Sequence, residues 1–384
     1  MSELDADRQR EARDYARASR RLWFISVILN GLYALAWVIF GWGPALRGWL
    51  TSAWPLLSDP WLLTAAFGMV FGGIVALVNL PFSFHGGYIL PHRFGQSTQT
   101  LRGWINDQAI GLLIGAPLGL LLLELLYFAL RATGDTWWFW AACGLIVFNV
   151  LLTNLAPILL MPLFNKYVPL EQEHADLAKR LIELAERART KVRGVYKFDM
   201  SRRTKAANAA LTGIGNTRRI VLGDTLIKEF TPDEIETVLA HELGHHVHRD
   251  LLLLIATGSL LTTLGLYAAS GAMKWAVTSF SYSGVSDPAA LPALALILGA
   301  YGLLTMPLEN ALSRWREGMA DRYALEATGK KDAFASAFVR LANQNLGEVD
   351  PAPWVVWMFY SHPPLGKRIA AARRWERTDS SSVR

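Results

Sequence analysis

Two histidines and a glutamate in the run Leu239-Ala240-His241-Glu242-Leu243-Gly244-His245-His246 have the spacing that points most directly to chemistry. On a helix, His241 and His245 are four residues apart, so both imidazoles project from one face, one turn above the other. That arrangement suits two nitrogen ligands on a single Zn²⁺, with Glu242 beside the metal, where it can take a proton from water. Such a set performs metal-assisted hydrolysis. It needs one further ligand, a carboxylate or histidine from elsewhere in the chain.

The elements around the motif must place it. Thr231-Pro232-Asp233-Glu234-Ile235-Glu236 reads as a helix start, with Thr231 as N-cap, Pro232 at the first helical position and acids near the positive dipole end. Asp250 is followed at once by Leu251-Leu252-Leu253-Leu254-Ile255, so the ligand helix is expected to run on into an apolar span. His245 and Leu251 are then about 9 Å apart, at about 1.5 Å per residue. The metal would therefore lie close to the inner membrane surface, within reach of membrane-attached chains. After the last apolar block, Glu317 and Asp321 are spaced i, i+4 on one helix face. One of them can bind the metal while the other accepts a hydrogen bond from a ligand imidazole.

Of the 384 residues, 52% are hydrophobic and only 18% charged, with 15 Trp and a mean hydropathy of +0.23. A soluble chain of this length carries charge on about a quarter of its residues. The apolar excess falls in blocks of about 20, the length needed to cross about 30 Å of hydrocarbon. They run about Trp23–Trp42, Trp61–Phe84, Ile110–Leu130, Trp137–Leu160, Leu251–Met273 and Ala289–Leu308. The expected fold class is mainly α: a polytopic membrane helical bundle of about six spans. At its cytoplasmic face would sit a zinc-metalloprotease helix pair and a small β element. The lone Cys143 lies inside an apolar block and offers neither a disulfide nor a thiolate metal site.

Lys and Arg gather unevenly between blocks. Arg8, Arg10, Arg13, Arg17, Arg20 and Arg21 crowd the N-terminal arm, whereas 44–60, 131–136 and 274–288 hold only Arg47, Arg131 and Lys274. The net charge of +6 is thus assigned to membrane orientation and not to nucleic acid, with both termini and the site on the cytoplasmic side of an inner membrane. Two spans separate His241 from Glu317, which leaves both on one side. The expected division is a charged, solvated or interfacial arm at 1–22, four spans with loops at 23–162 and a catalytic segment at 163–250. Spans five and six follow at 251–308, then a second ligand helix with a substrate-site segment at 309–370 and a flexible tail at 371–384. Within the catalytic segment, Leu177, Leu181 and Leu184 mark an amphipathic helix over Leu170–Thr190, and Gly194–Asp199 and Arg219–Leu222 are short β-type runs flanking Gly213–Asn216.

The ordered set H-E-L-G-H, then S-R-x-x-E-x-x-A-D, then Ser361-His362-Pro363-Pro364 resembles the type I CAAX prenyl endopeptidase family of membrane zinc metalloproteases. The likeness extends to Phe94-Gly95-Gln96-Ser97-Thr98-Gln99-Thr100 with Trp104 and Asp107, to Pro162-Leu163-Phe164-Asn165-Lys166, to Asn208-Ala209, and to Arg219 through Leu226. It covers about Leu90 to Ile369. The resemblance implies His241, His245 and Glu317 as ligands of one Zn²⁺ per chain, Glu242 as general base and Asp321 behind the ligands. It implies that Asn208 lies on the strand edge holding substrate and that His362 helps to stabilise the developing oxyanion. Zinc chemistry, oxyanion donors and strand addition are compatible with those roles. The chain departs from the eukaryotic members, which carry seven spans around a water-filled barrel. It also has Pro91-His92-Arg93 where those members have an acidic residue before the aligned glycine.

Other residues receive structural readings. His246 and His248 point off the metal face, His85 and His92 are interfacial, and His174 is exposed on the amphipathic helix. Arg314 and Arg368 either buttress the acids or mark the inner surface. Gly213-Ile214-Gly215 lacks the following Lys-Ser/Thr of a phosphate loop, and Asn216 starts no glycosylation sequon. The expected activity is zinc-dependent hydrolysis of peptide bonds in membrane-protein or peptide substrates at the lipid bilayer. Within that class, processing of CAAX C-termini competes with broad turnover of damaged membrane proteins. The rival class is a transporter or channel with structural zinc. It is disfavoured because the blocks hold few polar residues, Glu124 and Asn149 being the clearest.

Overall fold

A computed structural model describes residues 3–213 and 218–376. The readings on Ile214, Gly215 and Asn216, and on the tail from 377 onward, lie outside the described residues. Among the described residues, six helices are long and apolar enough to cross a membrane: Ala6–Ile39, Pro60–Arg93, Leu101–Ala132, Gly134–Ala156, Asp250–Ser279 and Pro288–Thr328. They pack around Trp37, Phe67, Tyr127, Trp137 and Met273, all buried, while leucines such as Leu77, Leu113 and Leu304 face outward. Outward leucines are what lipid-facing helix surfaces require.

The N-terminal arm is continuous with the first span. Helix α1 runs unbroken over Ala6–Ile39, capped by the Asp5 carboxylate, which accepts the N–H groups of Asp7 and Arg8. No helix breaker separates the arm from the first span, and the arm packs on the catalytic segment. Arg8 Nε donates to Asn343 O at 3.2 Å, Gln9 Nε2 to Gly347 O at 3.2 Å and Arg20 Nη1 to Glu348 Oε2 at 3.1 Å. After the short helix α2 (Trp42–Ala53), α3 (Pro60–Phe84) continues through a π turn at His85–Ile89 to Arg93. Helix α4 begins at Leu101, well before the apolar block, and ends at Ala132; α5 spans Trp137–Leu159. The first turns of α4 are fastened to the catalytic segment by Arg203, whose Nε and Nη2 donate to Asp107 at 2.6 and 2.9 Å.

The catalytic segment has its own core. Strand β1 (Tyr167–Pro169), helix α6 (Ala175–Arg187) and strands β2 (Val195–Phe198), β3 (Ala209–Thr212) and β4 (Arg219–Gly223) come first. The sheet order is β1-β2-β4-β3, so β3 is an edge strand, antiparallel to β4 with Ala209 opposite Leu222 and Thr212 opposite Arg219. Leu181 and Leu184 of α6 share one buried core with Ile220 and Leu222 of the sheet, as the helical spacing required. Helix α7 (Pro232–Val247) carries the H-E-L-G-H motif. Its start is a capping box: Thr231 N–H donates to Glu234 Oε2 at 2.8 Å and Glu234 N–H to Thr231 Oγ1 at 3.3 Å.

Helix α7 does not run into the fifth span, contrary to the sequence expectation. It ends at Val247, Arg249 takes a left-handed backbone with φ 55°, and α8 (Asp250–Ser279) starts anew. The break turns the Asp250 side chain back toward His245, which a continuous helix would not do. Helix α9 (Leu291–Thr328) crosses from the apolar layer and continues to Glu317 and Asp321. It passes α7 so closely that a Cβ on Gly244 would lie 2.9 Å from Ala320 Cα. Helix α10 (Lys331–Gln344), α11 (Pro353–Phe359) and α12 (Leu365–Arg374) close the segment.

Candidate active site

Where α7 crosses α9, three donor groups converge. His241 Nε2 and His245 Nε2 are 3.3 Å apart. Glu317 Oε2 lies 3.2 Å from the first and Oε1 3.3 Å from the second. Donors held at tetrahedral angles by bonds of about 2.0–2.1 Å stand about 3.3 Å from one another, so these three suit a common ion. The groups behind them agree. His241 Nδ1 is 2.9 Å from Asp321 Oδ1, and His245 Nδ1 is 2.7 Å from Asp250 Oδ2. A carboxylate that accepts a hydrogen bond from Nδ1–H leaves the Nε2 lone pair facing the shared point. Glu317 Oε2 is buried and no hydrogen bond satisfies it. An orphaned carboxylate oxygen between two imidazole nitrogens fits a cation, and His241, His245 and Glu317 are a group able to hold one.

Burial alone would push the His241 imidazole down, but the Asp321 and Glu317 carboxylates on its two sides outweigh that and lift it to about 9. A metal bound there displaces a proton at neutral pH. Burial pushes the Glu242 carboxyl up, partly opposed by the neighbouring imidazoles of His241 and His245. A raised carboxyl beside a metal site is suited to accepting a proton near neutrality.

Glu242 and His241 line a cavity of about 610 Å³ that also holds Asn208, His362, Val238 and Phe338. His362 is exposed, with Nε2 3.2 Å from Glu317 Oε1 and Nδ1 2.9 Å from Ser361 Oγ. Asn208 immediately precedes β3, and its carbonyl accepts the Gly223 N–H at 2.9 Å. Asn208, His241, Glu242 and His362 line this cavity, and His245, Glu317 and Asp321 each lie within 3.3 Å of His241. Tyr15 and Arg20 of α1 also line it, so the arm forms part of the wall.

Two residues missed in the sequence support the cluster. Asp250, in the sequence only the residue ahead of an apolar run, holds His245. Arg316 reaches over from α9, with Nε 2.6 Å from Asp250 Oδ1 and Nη2 donating to His248 O at 3.0 Å. An acid abutting an apolar run and an arginine beside a ligand acid were the available signals. Arg368 buttresses Asp321, donating from Nε at 2.8 Å and Nη2 at 2.5 Å. Arg314 does not touch the acids. It donates to Val356 O at 2.9 Å and Tyr360 O at 2.6 Å, and so holds the segment leading to His362. His92 sits between the carbonyls of Tyr88 and Gln99, a structural position.

Residues 171–376 match peptidase family M48. The chain belongs to that family. Residues 1–166 match the CAAX prenyl protease N-terminal family, described as having five membrane helices. In this chain the same stretch has four helices of spanning length plus α2, which has 12 residues. The M48 chain is 32% identical to the uncharacterized metalloprotease YhfN of Bacillus subtilis, over 95% of this chain and 85% of that one. It is 28% identical to CAAX prenyl protease 1 of Saccharomyces cerevisiae, over 96% and 86%. The crystal structure of S. mikatae Ste24p superposes with a TM-score of 0.83 at 26% identity, covering 96% of this chain and 90% of that one. The protein is a metalloendopeptidase and an integral, multi-pass membrane protein acting on peptide substrates. A transporter with a structural metal is not favoured.

Proposed function

We propose that this chain is a zinc endopeptidase that cuts polypeptides held at the cytoplasmic face of a membrane, with His241, His245 and Glu317 as the ligands of one Zn²⁺. The convergence of three donors at 3.2–3.3 Å, each imidazole backed by a carboxylate, carries the reading. Zn²⁺, when bound, supplies the Lewis acid that brings a water toward a pKa of about 7. Glu242 receives the proton of the attacking water and returns it to the departing amine. Asp321 and Asp250 hold the two imidazoles in the tautomer that presents Nε2. His362, beside Glu317 and open to the cavity, donates to the carbonyl oxygen as negative charge develops there. Asn208 stands at the head of edge strand β3, to which an extended substrate adds by main-chain hydrogen bonds. The relatives named CAAX prenyl protease 1 support processing of membrane-attached C-termini over general turnover of damaged membrane proteins.

Glu242→Gln tests the assignment. The amide keeps the carboxylate's shape but accepts no proton, so the variant should keep its metal while hydrolysis falls by a factor of about 10² or more. A Glu242→Gln protein with undiminished hydrolysis overturns it.

A further inference from the structure

A second cavity touches the metal cluster and has no part in the chemistry above. It measures about 680 Å³ and is lined by His245, whereas the first is lined by His241 and Glu242. Strand β3 joins them: Asn208, just before the strand, lines the first cavity, and Gly213, just after it, lines the second. Five extended residues span about 17 Å at about 3.3 Å each, so a chain laid along this edge enters both cavities and passes the ligands between.

The second cavity is cationic. Arg189, Arg218 and Arg249 wall it, and no Asp or Glu lines it. Among the described residues, none of these three guanidinium groups is paired with a carboxylate, and the charge of Arg218 falls on His246 of the same cavity. Neighbouring arginines are paired: Arg180 and Arg187 with Glu236, Arg203 with Asp107, Arg316 with Asp250. Two of the three are also held against backbone preference, Arg189 at φ 53° and Arg249 at φ 55°. Glycine or asparagine usually fills such left-handed positions, because a larger side chain crowds its own backbone there. Two strained positions thus present long cationic side chains to the same space, and no acid shares its lining.

We propose that this cavity is the far end of the substrate cleft and takes an acidic segment of the polypeptide being cut, Arg189, Arg218 and Arg249 selecting it by charge. The inference rests on the proteolytic reading and names the substrate class within it. The rim carries Val247, Leu251 and Leu252, all exposed where α8 enters its apolar run, which would also suit an anionic lipid headgroup. The shared lining with His245 and the end of β3 favours the substrate chain.

The test uses full-length, zinc-loaded protein in nanodiscs and internally quenched peptide twins that differ by one Glu-for-Gln exchange. The exchange is moved from two to five residues away from the cut on either side. In neutral phosphatidylcholine at low salt, kcat/KM of the Glu twin should exceed that of the Gln twin by about tenfold on one side of the cut, the equivalent of two or three ion pairs. The ratio within one preparation cancels folding and metal content. In the double variant Arg189→Gly/Arg249→Gly, where glycine accepts the left-handed backbone, the ratio should fall toward one. In Arg218→Glu, which pairs off part of the remaining positive charge, the ratio should likewise fall. Equal rates for all twins in the wild type, or a ratio unchanged in the variants, overturns the proposal. So does acceleration that follows anionic lipid content whatever the peptide's charge. If the wild type cuts every twin equally, only the cationic end is wrong; if it cuts none, the proteolytic reading falls and takes this with it.

Discussion

Gly244→Ala should damage the metal site without touching a ligand. A Cβ at Gly244 would stand 2.9 Å from Ala320 Cα, 3.2 Å from Ala320 O and 3.3 Å from Ala320 Cβ. Carbon atoms rest at about 3.5–4.0 Å, and the first two neighbours are backbone, so the helices themselves must part by about 0.5–1 Å. Overpacking of this kind costs about 1–3 kcal/mol, offset by about 1 kcal/mol from the better helix propensity of alanine. The loss of stability should therefore be small. The effect on the metal should be larger. His245 follows Gly244 directly, and Glu317 lies one turn before Ala320, so the parting opens the 3.3 Å gap between them. Coordination tolerates changes of about 0.2 Å. We expect affinity for Zn²⁺ to fall by about tenfold or more, measured by competition with a fluorescent chelator. Gly318→Ala is the control. It lies on α9 beside Glu317 with nothing within 4 Å of its Cβ and should leave affinity unchanged. Wild-type affinity in Gly244→Ala would refute the claim that this crossing sets the ligand spacing.

Asp250→Asn removes the charge that holds His245 Nδ1–H and pairs with Arg316, so Zn²⁺ affinity should drop by about 10–100-fold in the same competition assay. Unchanged affinity would relegate Asp250 to a helix-start role. The network at the start of α7 predicts a pH dependence of stability. Burial alone would raise the Glu236 carboxyl, but Lys330 Nζ at 2.6 Å and Arg180 Nε at 2.5 Å outweigh it and hold it below its ordinary value. A depressed folded-state value stabilises the protein above the unfolded value of about 4.3 and is lost as pH falls through the folded one. The gap in Tm between wild type and Lys330→Met should thus be full at pH 7 and shrink as pH falls below about 4.5. A gap that widens on acidification would contradict the assignment.

The proposed ligand group was legible in part from local rules, the choice of Glu317 over Asp321 coming only from the family resemblance. A four-residue spacing on a capped helix fixes His241 and His245 on one face, and an even number of spans puts Glu317 on their side. Six apolar blocks announce six helices, because hydrocarbon tolerates few other backbones. What was hidden depends on contacts distant in sequence. Nothing local marks Ala209–Thr212 as an edge strand; its pairing with β4 does. Arg249 is not a residue that signals a left-handed break, so the turn that sends Asp250 back to His245 looked like continuous helix. The N-terminal arm looked solvated because its alternating charges suit water, yet Gln9 and Arg20 find partners more than 300 residues away at Gly347 and Glu348.

The central claim is a single ion shared by α7 and α9. Elemental analysis of the intact protein, purified without chelator or added metal, tests it directly. The account predicts about one zinc per chain in the wild type and in Glu242→Gln, and next to none in His241→Ala. A wild-type protein that hydrolyses peptides with no stoichiometric metal, or a His241→Ala variant that keeps its zinc, would contradict it.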